Sequence, residues 1–443
     1  MACTPLLRHG MEKPLPGVEV GSDLPVEPMI ALQSGGDSVL VAWTTVTESG
    51  GSELRAQKLS PAGTPLWPAS GVRAAEWEYG LDSPQAVRGA DGWYLLWKQA
   101  SLSGWEWDAQ FFTDAGSAAW TAPLTVAALY SNEYKGSVRS AADGSLLLAY
   151  NDVFRRVDSI FAGVSKVRRD GSLAWRQELG KDSRQAWYQL PALAEEGSGG
   201  VFLGYRHADL TDKGIMVQRL GGDGRPLWGH GVEVYDRVGY KGEPSMVSDG
   251  KGGVVALWED GRSGNIDIYA QRVSSDKSVL WEPMGRPVTV GPGNQWNPAA
   301  VADGSGGVYA VWIDDGRGSQ WQLMLQHLDE KGDALLGPGG VPAAPCADQQ
   351  SLPMIVSDGA GGAILCWIES RYSAFQVLCQ RRGPAGVLWG QTDNVVVNSY
   401  APILGLQMIP DGSGGAVLAW KSRVDDHWDV QSRRLDPSGR ILW

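Results

Sequence analysis

"LDPSGRILW" (435–443) stops where its counterparts continue. In "PLWGHGVEVY" (226–235) the Leu-Trp pair runs within a few residues into another short apolar strand, and no such strand follows Trp443. Near the other end stands "PLPGVEVGSD" (14–23), whose GVEV (17–20) is identical to the GVEV at 231–234. We therefore expect the N-terminal segment to complete the last unit. Pairing it there closes a ring and leaves no unpaired edge between units.

The units repeat a motif of Pro, an apolar strand, Asp-Gly-x-Gly-Gly, a second apolar strand and an aromatic. It is clearest in "PSMVSDGKGGVVALW" (244–258), "PAAVADGSGGVYAVW" (298–312) and "PMIVSDGAGGAILCW" (353–367). The closing aromatics are Trp43, Trp97, Tyr150, Tyr205, Trp258, Trp312, Trp367 and Trp420, spaced 53–55 residues apart. A second series keeps the same beat at Trp67, Trp120, Trp175, Trp228, Trp281, Leu336, Trp389 and Trp443. Before each lies a strand that often carries Gln and a basic residue, as in "IYAQRV" (268–273).

Each unit of about 54 residues reads as four short strands, with Pro opening the innermost, where a ladder N–H is not needed. Eight such units predict an all-β chain, a single eight-bladed β-propeller of four-stranded antiparallel blades. A linear solenoid has no use for a split unit. The expected layout is an N-terminal tail (1–13) and a propeller (14–443), with blades near 24–83, 84–134, 135–190, 191–242, 243–297, 298–352, 353–403, and 404–443 plus 14–23. Both Trp series are expected to be core plates between blades.

Composition agrees, with 59 Gly, 25 Pro and 21 Trp. A net charge of −12 opposes nucleic acid as a partner. No stretch approaches the roughly 18 apolar residues of a membrane-spanning helix. The cysteines Cys3, Cys346, Cys366 and Cys379 show no zinc spacing, and no metal or other cofactor is expected. Cys366 and Cys379 read either as a cross-strand disulfide or as two buried thiols. Cys3, preceded by Ala2, reads either as the lipid-bearing residue of a bacterial lipoprotein or as a chance cysteine. No basic or apolar leader segment precedes it in this sequence.

"WEDGRSGNIDIYAQRVSSDKSVLW" (258–281) resembles repeats of secreted bacterial β-propellers, most closely over blades five to eight. "LGGDGRPLW" (220–228) and "LDPSGRILW" are similar, more loosely, to the tryptophan-docking repeats of quinoprotein propellers and of the outer-membrane assembly lipoprotein sharing their fold. The Thr before the Gly of those repeats is absent here. The sialidase Asp-box also differs, because in "DGSLAW" (170–175) the Gly stands one residue early. The resemblance implies the fold and an extracytoplasmic location, and says little of activity.

The sequence holds no GxSxG, HExxH, P-loop or GxGxxG, and its five His are scattered. Asp260/Arg262, Asp315/Arg317 and Glu369/Arg371 share one acid-x-Arg spacing, best read as ion pairs tying loops. The loop containing "NID" (265–267) offers oxygens without a calcium-loop spacing. In a propeller, the loops between second and third strands share one face with the loops between blades. Those segments carry Trp77, Tyr79, Trp105, Trp107, Tyr134, Trp187, Tyr188, Tyr240, Trp296, Trp321, Tyr400 and Trp428, none of them in either core series.

Aromatics at a concave mouth suit a protein hot spot or sugar stacking. The sequence is thus read as a non-enzymatic binding or scaffolding propeller that engages a protein partner or a glycan. Any membrane association would come only through a lipid on Cys3. The alternative is a carbohydrate-active enzyme, a glycosidase or lyase, using two acidic residues around the channel, ~5–10 Å apart for a glycosidase.

Overall fold

The computed structural model describes residues 18–24, 29–34, 38–47, 49–102, 104–129, 136–154, 159–179, 187–208, 213–236, 239–316, 320–343, 349–371, 374–384, 386–389, 394–424 and 427–443. Every regular element among them is a strand. Eight four-stranded antiparallel blades stand in a ring, each inner strand contacting the next and the eighth contacting the first. The chain folds as an eight-bladed β-propeller.

Blade 5 shows the plan, with strands Ser245–Ser248, Val254–Asp260, Asp267–Val273 and Arg286–Thr289 ordered from channel to rim. Blade 8 takes its inner three strands from Ile403–Pro410, Ala416–Val424 and His427–Leu435, and its outer strand from Val18–Leu24. Val18 pairs with Ser432 and Leu24 with Trp428, so the N-terminal segment closes the ring as the sequence predicts.

The repeat motif is a set of ties. Asp249 accepts the amides of Lys251 and Gly253, each at 2.7 Å, which shapes the Asp-Gly-x-Gly-Gly hairpin. Gly250 and Gly252 hold left-handed φ of 71° and 84°. A Cβ on Gly253 would lie 2.6 Å from both Val273 O and Asp249 Oδ2, so only glycine fits. Gln271 accepts the Trp281 amide at 3.0 Å and donates to Glu282 O at 2.7 Å, which fixes the turn carrying Trp281.

Arg272 binds Asp249 at 2.8 Å and then crosses to the next blade, donating to Glu330 O at 3.1 Å. The Trp281 indole donates to the same carbonyl at 3.0 Å. Arg219 with Trp228 (on Ser275 O) and Arg381 with Trp389 (on Pro437 O) repeat this convergence. The second Trp series is therefore a chain of inter-blade hydrogen bonds as well as core. At the junction of blades 6 and 7 both donors are replaced. Leu336 stands where the Trp would be, and His327, bound to Asp303 at 3.0 Å, stands where the Arg would be.

The first Trp series is buried throughout, from Trp43 to Trp420. Cys366 and Cys379 lie directly opposite on neighbouring strands of blade 7 and form a disulfide. One detail differs from expectation. In blades 2, 6 and 7 the inner strand begins before its proline, which sits at a register shift, and the preceding Ser83, Asn297 and Leu352 take φ of 49°, 54° and 50°. A bulge, like a strand start, spares the ladder the missing N–H.

Candidate functional site: the open face

The ties above occupy one face of the ring. On the opposite face, Tyr79 is 69% exposed, Tyr400 64%, Tyr240 52% and Trp321 40%. Trp296, half-buried, meets Trp321 edge to face at 5.2 Å. These five come from the junctions of blades 1–2, 4–5, 5–6 and 7–8 and from a blade 6 loop, so they spread around the mouth.

The other candidates fall differently. Trp77 is half-buried and its indole donates to Ala100 O at 2.8 Å, tying blade 1 to blade 2. Trp105 packs against the core between blades 2 and 3, and Trp428 against that between blades 8 and 1. Trp107 requires a correction. Its side chain is fully buried, because Gly92–Ser101 and Gly104–Thr113 form one long hairpin and the expected loop is strand. Trp187 and Tyr188 belong to the strand Trp187–Glu195, but their side chains lie outside the described residues, as do Tyr134 and Cys3 altogether.

Between blades 4 and 5 the open face holds a cleft of about 350 Å³, lined by Arg206, Tyr240, Lys241, Glu243, Glu259 and Asn297 among others. The Tyr240 hydroxyl donates to Glu259 Oε2 at 2.8 Å, and Glu259 Oε1 accepts the Asn297 amide at 2.8 Å. Burial, and then the bond to Glu259, push the Tyr240 phenol up to about 12, so it stays protonated near neutral pH. Arg206 donates to Lys241 O at 2.7 Å. Both Glu259 oxygens thus accept bonds, one from the phenol and one from a backbone amide.

Sequence reasoning missed Arg206, Lys241 and Asn297 because they come from separate segments with no shared motif. Of the acid-x-Arg pairs, Asp260 and Arg262 form the ion pair at 2.6 Å, with Arg262 stacked on Tyr269 at 3.7 Å. Arg317 and the Arg371 side chain lie outside the described residues. Around the NID loop, Asp267 is fully buried and accepts the Gly291 amide at 3.1 Å. No group of three acidic, His or Cys residues suited to a metal occurs among the described residues.

No protein-family model and no curated protein matches the sequence. Among solved structures, the chain is similar to an ulvan lyase of a polysaccharide-lyase family, solved with -[GlcA(1-4)Rha3S]- bound. The TM-score is 0.52 at 11% identity over 82% of this chain and 95% of that one. A Mycobacterium tuberculosis puromycin-hydrolyzing peptidase matches with TM-score 0.47 at 14% identity, over 93% of this chain and 62% of its own. The β-propeller domain of the Trilobed protease from Pyrococcus furiosus matches with TM-score 0.44 at 13% identity, over 84% and 96%. At such identities the likeness shows the fold alone.

Proposed function

We propose that this protein is a recognition propeller whose open face docks a protein partner. One observation carries the reading. Tyr79, Tyr240, Trp321 and Tyr400 are exposed on a single face while both internal aromatic series are used within the ring. Tyr and Trp supply large contact area at low entropic cost, which is why they anchor protein interfaces. Their spread over several blade junctions suits a macromolecule better than a small ligand. The buried Cys366–Cys379 disulfide supports an oxidising, extracytoplasmic compartment. A lipid on Cys3 fits the same reading and is tested by mass spectrometry of the protein from its native membrane. The test of the face is affinity capture with the wild type and with a variant carrying Tyr79→Ala, Tyr240→Ala, Trp321→Ala and Tyr400→Ala. Loss of the same captured protein, with unchanged circular dichroism, supports the reading, and identical capture overturns it.

A carbohydrate-active role has one observation in its favour, since Glu243 and Glu259 line the same cleft. Release of unsaturated or reducing ends from a polysaccharide panel, lost in Glu243→Gln and Glu259→Gln, would establish it in place of the first reading.

A further inference from the structure

Blade 5 holds a carboxylate buried without a cation. Asp249, Asp260, Asp358 and Asp411 are buried aspartates that each hold an arginine. Asp267, fully buried, holds none among the described residues. Its oxygens accept only neutral donors: the Ser263 hydroxyl, the Gly291 amide at 3.1 Å and the Asn265 side-chain amide at 3.5 Å. Arg262, on the same loop, is committed to Asp260 at 2.6 Å. A negative charge taken out of water with no positive partner is costly.

Oxygen atoms crowd around it. Ser263, Asn265 and Asp267 alternate along the chain and their side chains meet, with Ser263 Oγ bonded to Asp267 Oδ2 and 3.1 Å from Asn265 Oδ1. The loop between blades 5 and 6 adds two carbonyls from the other side. Asn265 Nδ2 donates to Gly291 O at 2.8 Å and to Gly293 O, with Asp267 Oδ1 as its third neighbour. An NH2 group has two hydrogens, so three acceptors around it exceed what it can serve. Blade 6 holds this loop in place: the Asn294 amide donates to Asp315 Oδ1 at 2.5 Å, and the Asp315 amide returns a bond to Asn294 O at 3.1 Å. Beside it, the fully buried Gln295 donates to Pro292 O at 3.2 Å, while its Oε1 is buried with no donor among the described residues.

We propose that a calcium ion binds here, taking the place of the Asn265 nitrogen among Asp267 Oδ1, Gly291 O and Gly293 O. Asn265 turns its amide over to present Oδ1, and Ser263 Oγ and water complete the shell. Calcium accepts about six to eight oxygens, backbone carbonyls and side-chain amides among them, in flexible geometry. Affinity follows the number of charged ligands, so one buried carboxylate sets a Kd of roughly 0.1–1 mM, the range of extracellular modules. A metal-bound water gives Gln295 Oε1 its donor. The loop so fastened leads directly into Gln295–Ala302, the strand that carries Trp296 of the open face.

Isothermal titration of CaCl2 into the full chain, first stripped of metal with EDTA, tests this. Asp267→Asn should weaken binding about tenfold or more. Asn265→Asp removes the competing nitrogen and adds a carboxylate, so it should bind calcium about tenfold more tightly than the wild type. Its Tm should also rise more on adding calcium. A purely structural Asn265 predicts otherwise, since the variant loses its hydrogen bonds to two carbonyls and gains nothing from the metal. MgCl2 should bind about tenfold more weakly or worse, because magnesium dehydrates reluctantly and demands octahedral geometry. Circular dichroism checks the fold of both variants, and if Asp267→Asn does not fold, Asn265→Asp alone decides. No binding by the wild type up to about 10 mM calcium, well above the expected range, overturns the proposal. So does calcium binding that Asn265→Asp fails to tighten, or magnesium binding as tight as calcium.

Discussion

The indole of Trp443 donates to the carbonyl of Pro61 at 2.9 Å, joining residues 382 positions apart. Arg434 reaches the same carbonyl at 2.8 Å, so the last blade grips the first as each blade with the full Arg–Trp pair grips its successor. Removing only the hydrogen bond, with Trp443→Phe, should cost about 1 kcal/mol. Removing the ring as well, with Trp443→Ala, should cost roughly 2–4 kcal/mol. Urea unfolding followed by tryptophan fluorescence reads both, and equal stability of wild type and Trp443→Ala would show that the tie does not hold the ring.

The junction of blades 6 and 7 lacks this grip, because Leu336 and His327 replace the two donors. Leu336→Trp places an indole opposite Pro384, the counterpart of Pro437 and Pro61. It should raise stability by about 1 kcal/mol, seen as a higher urea midpoint at unchanged slope. A lower midpoint would mean that this seam has repacked around leucine.

The disulfide of blade 7 closes a short loop, with a sequence separation of 13. Constraint of the unfolded chain by a loop of that size is worth about 3 kcal/mol. Cys366→Ala with Cys379→Ala should lower stability by roughly that amount, and a reductant should destabilise the wild type alone. Equal midpoints with and without reductant would contradict this.

Acid should loosen the hairpins of the turn face. Burial alone would push the Asp411 carboxyl up, but bonds from Ser413, from the Gly415 amide and from Arg434 outweigh it, and its value lies below the ordinary range. Asp303 behaves likewise, with bonds from His327, Ser305 and Gly307 outweighing burial. A carboxyl whose folded value is depressed stabilises the fold above its unfolded value and loses that contribution as pH falls through the folded one. Stability is therefore expected to be level from roughly pH 5 to 8 and to fall below about pH 4. Asp411→Asn should be less stable near neutrality and flatter in acid. A urea midpoint that holds to pH 3 in the wild type would contradict the assignment.

The ring was legible because its signals are periodic. Aromatics recurring every 53–55 residues expose a repeat, and an identical GVEV at both ends of the pattern exposes the split blade. The site was less so. Trp105 and Trp107 sat in what read as a polar loop, and only pairing of Ser101 with Gly104 shows that strand continues there and buries Trp107. The loss of Trp at position 336 was visible, but its coincidence with His327 acquires meaning only when both donors aim at one carbonyl.

Strands Val18–Leu24 and His427–Leu435 are neighbours in space and lie far apart in the sequence. A ribosome releases the first long before it makes the second. During elongation the nascent blades form an open arc with raw flanks at each extremity, a species prone to sticking to its own kind. Closure of the ring thus waits on the synthesis of His427–Leu435, and chaperones that shield the arc until that strand emerges should govern the yield.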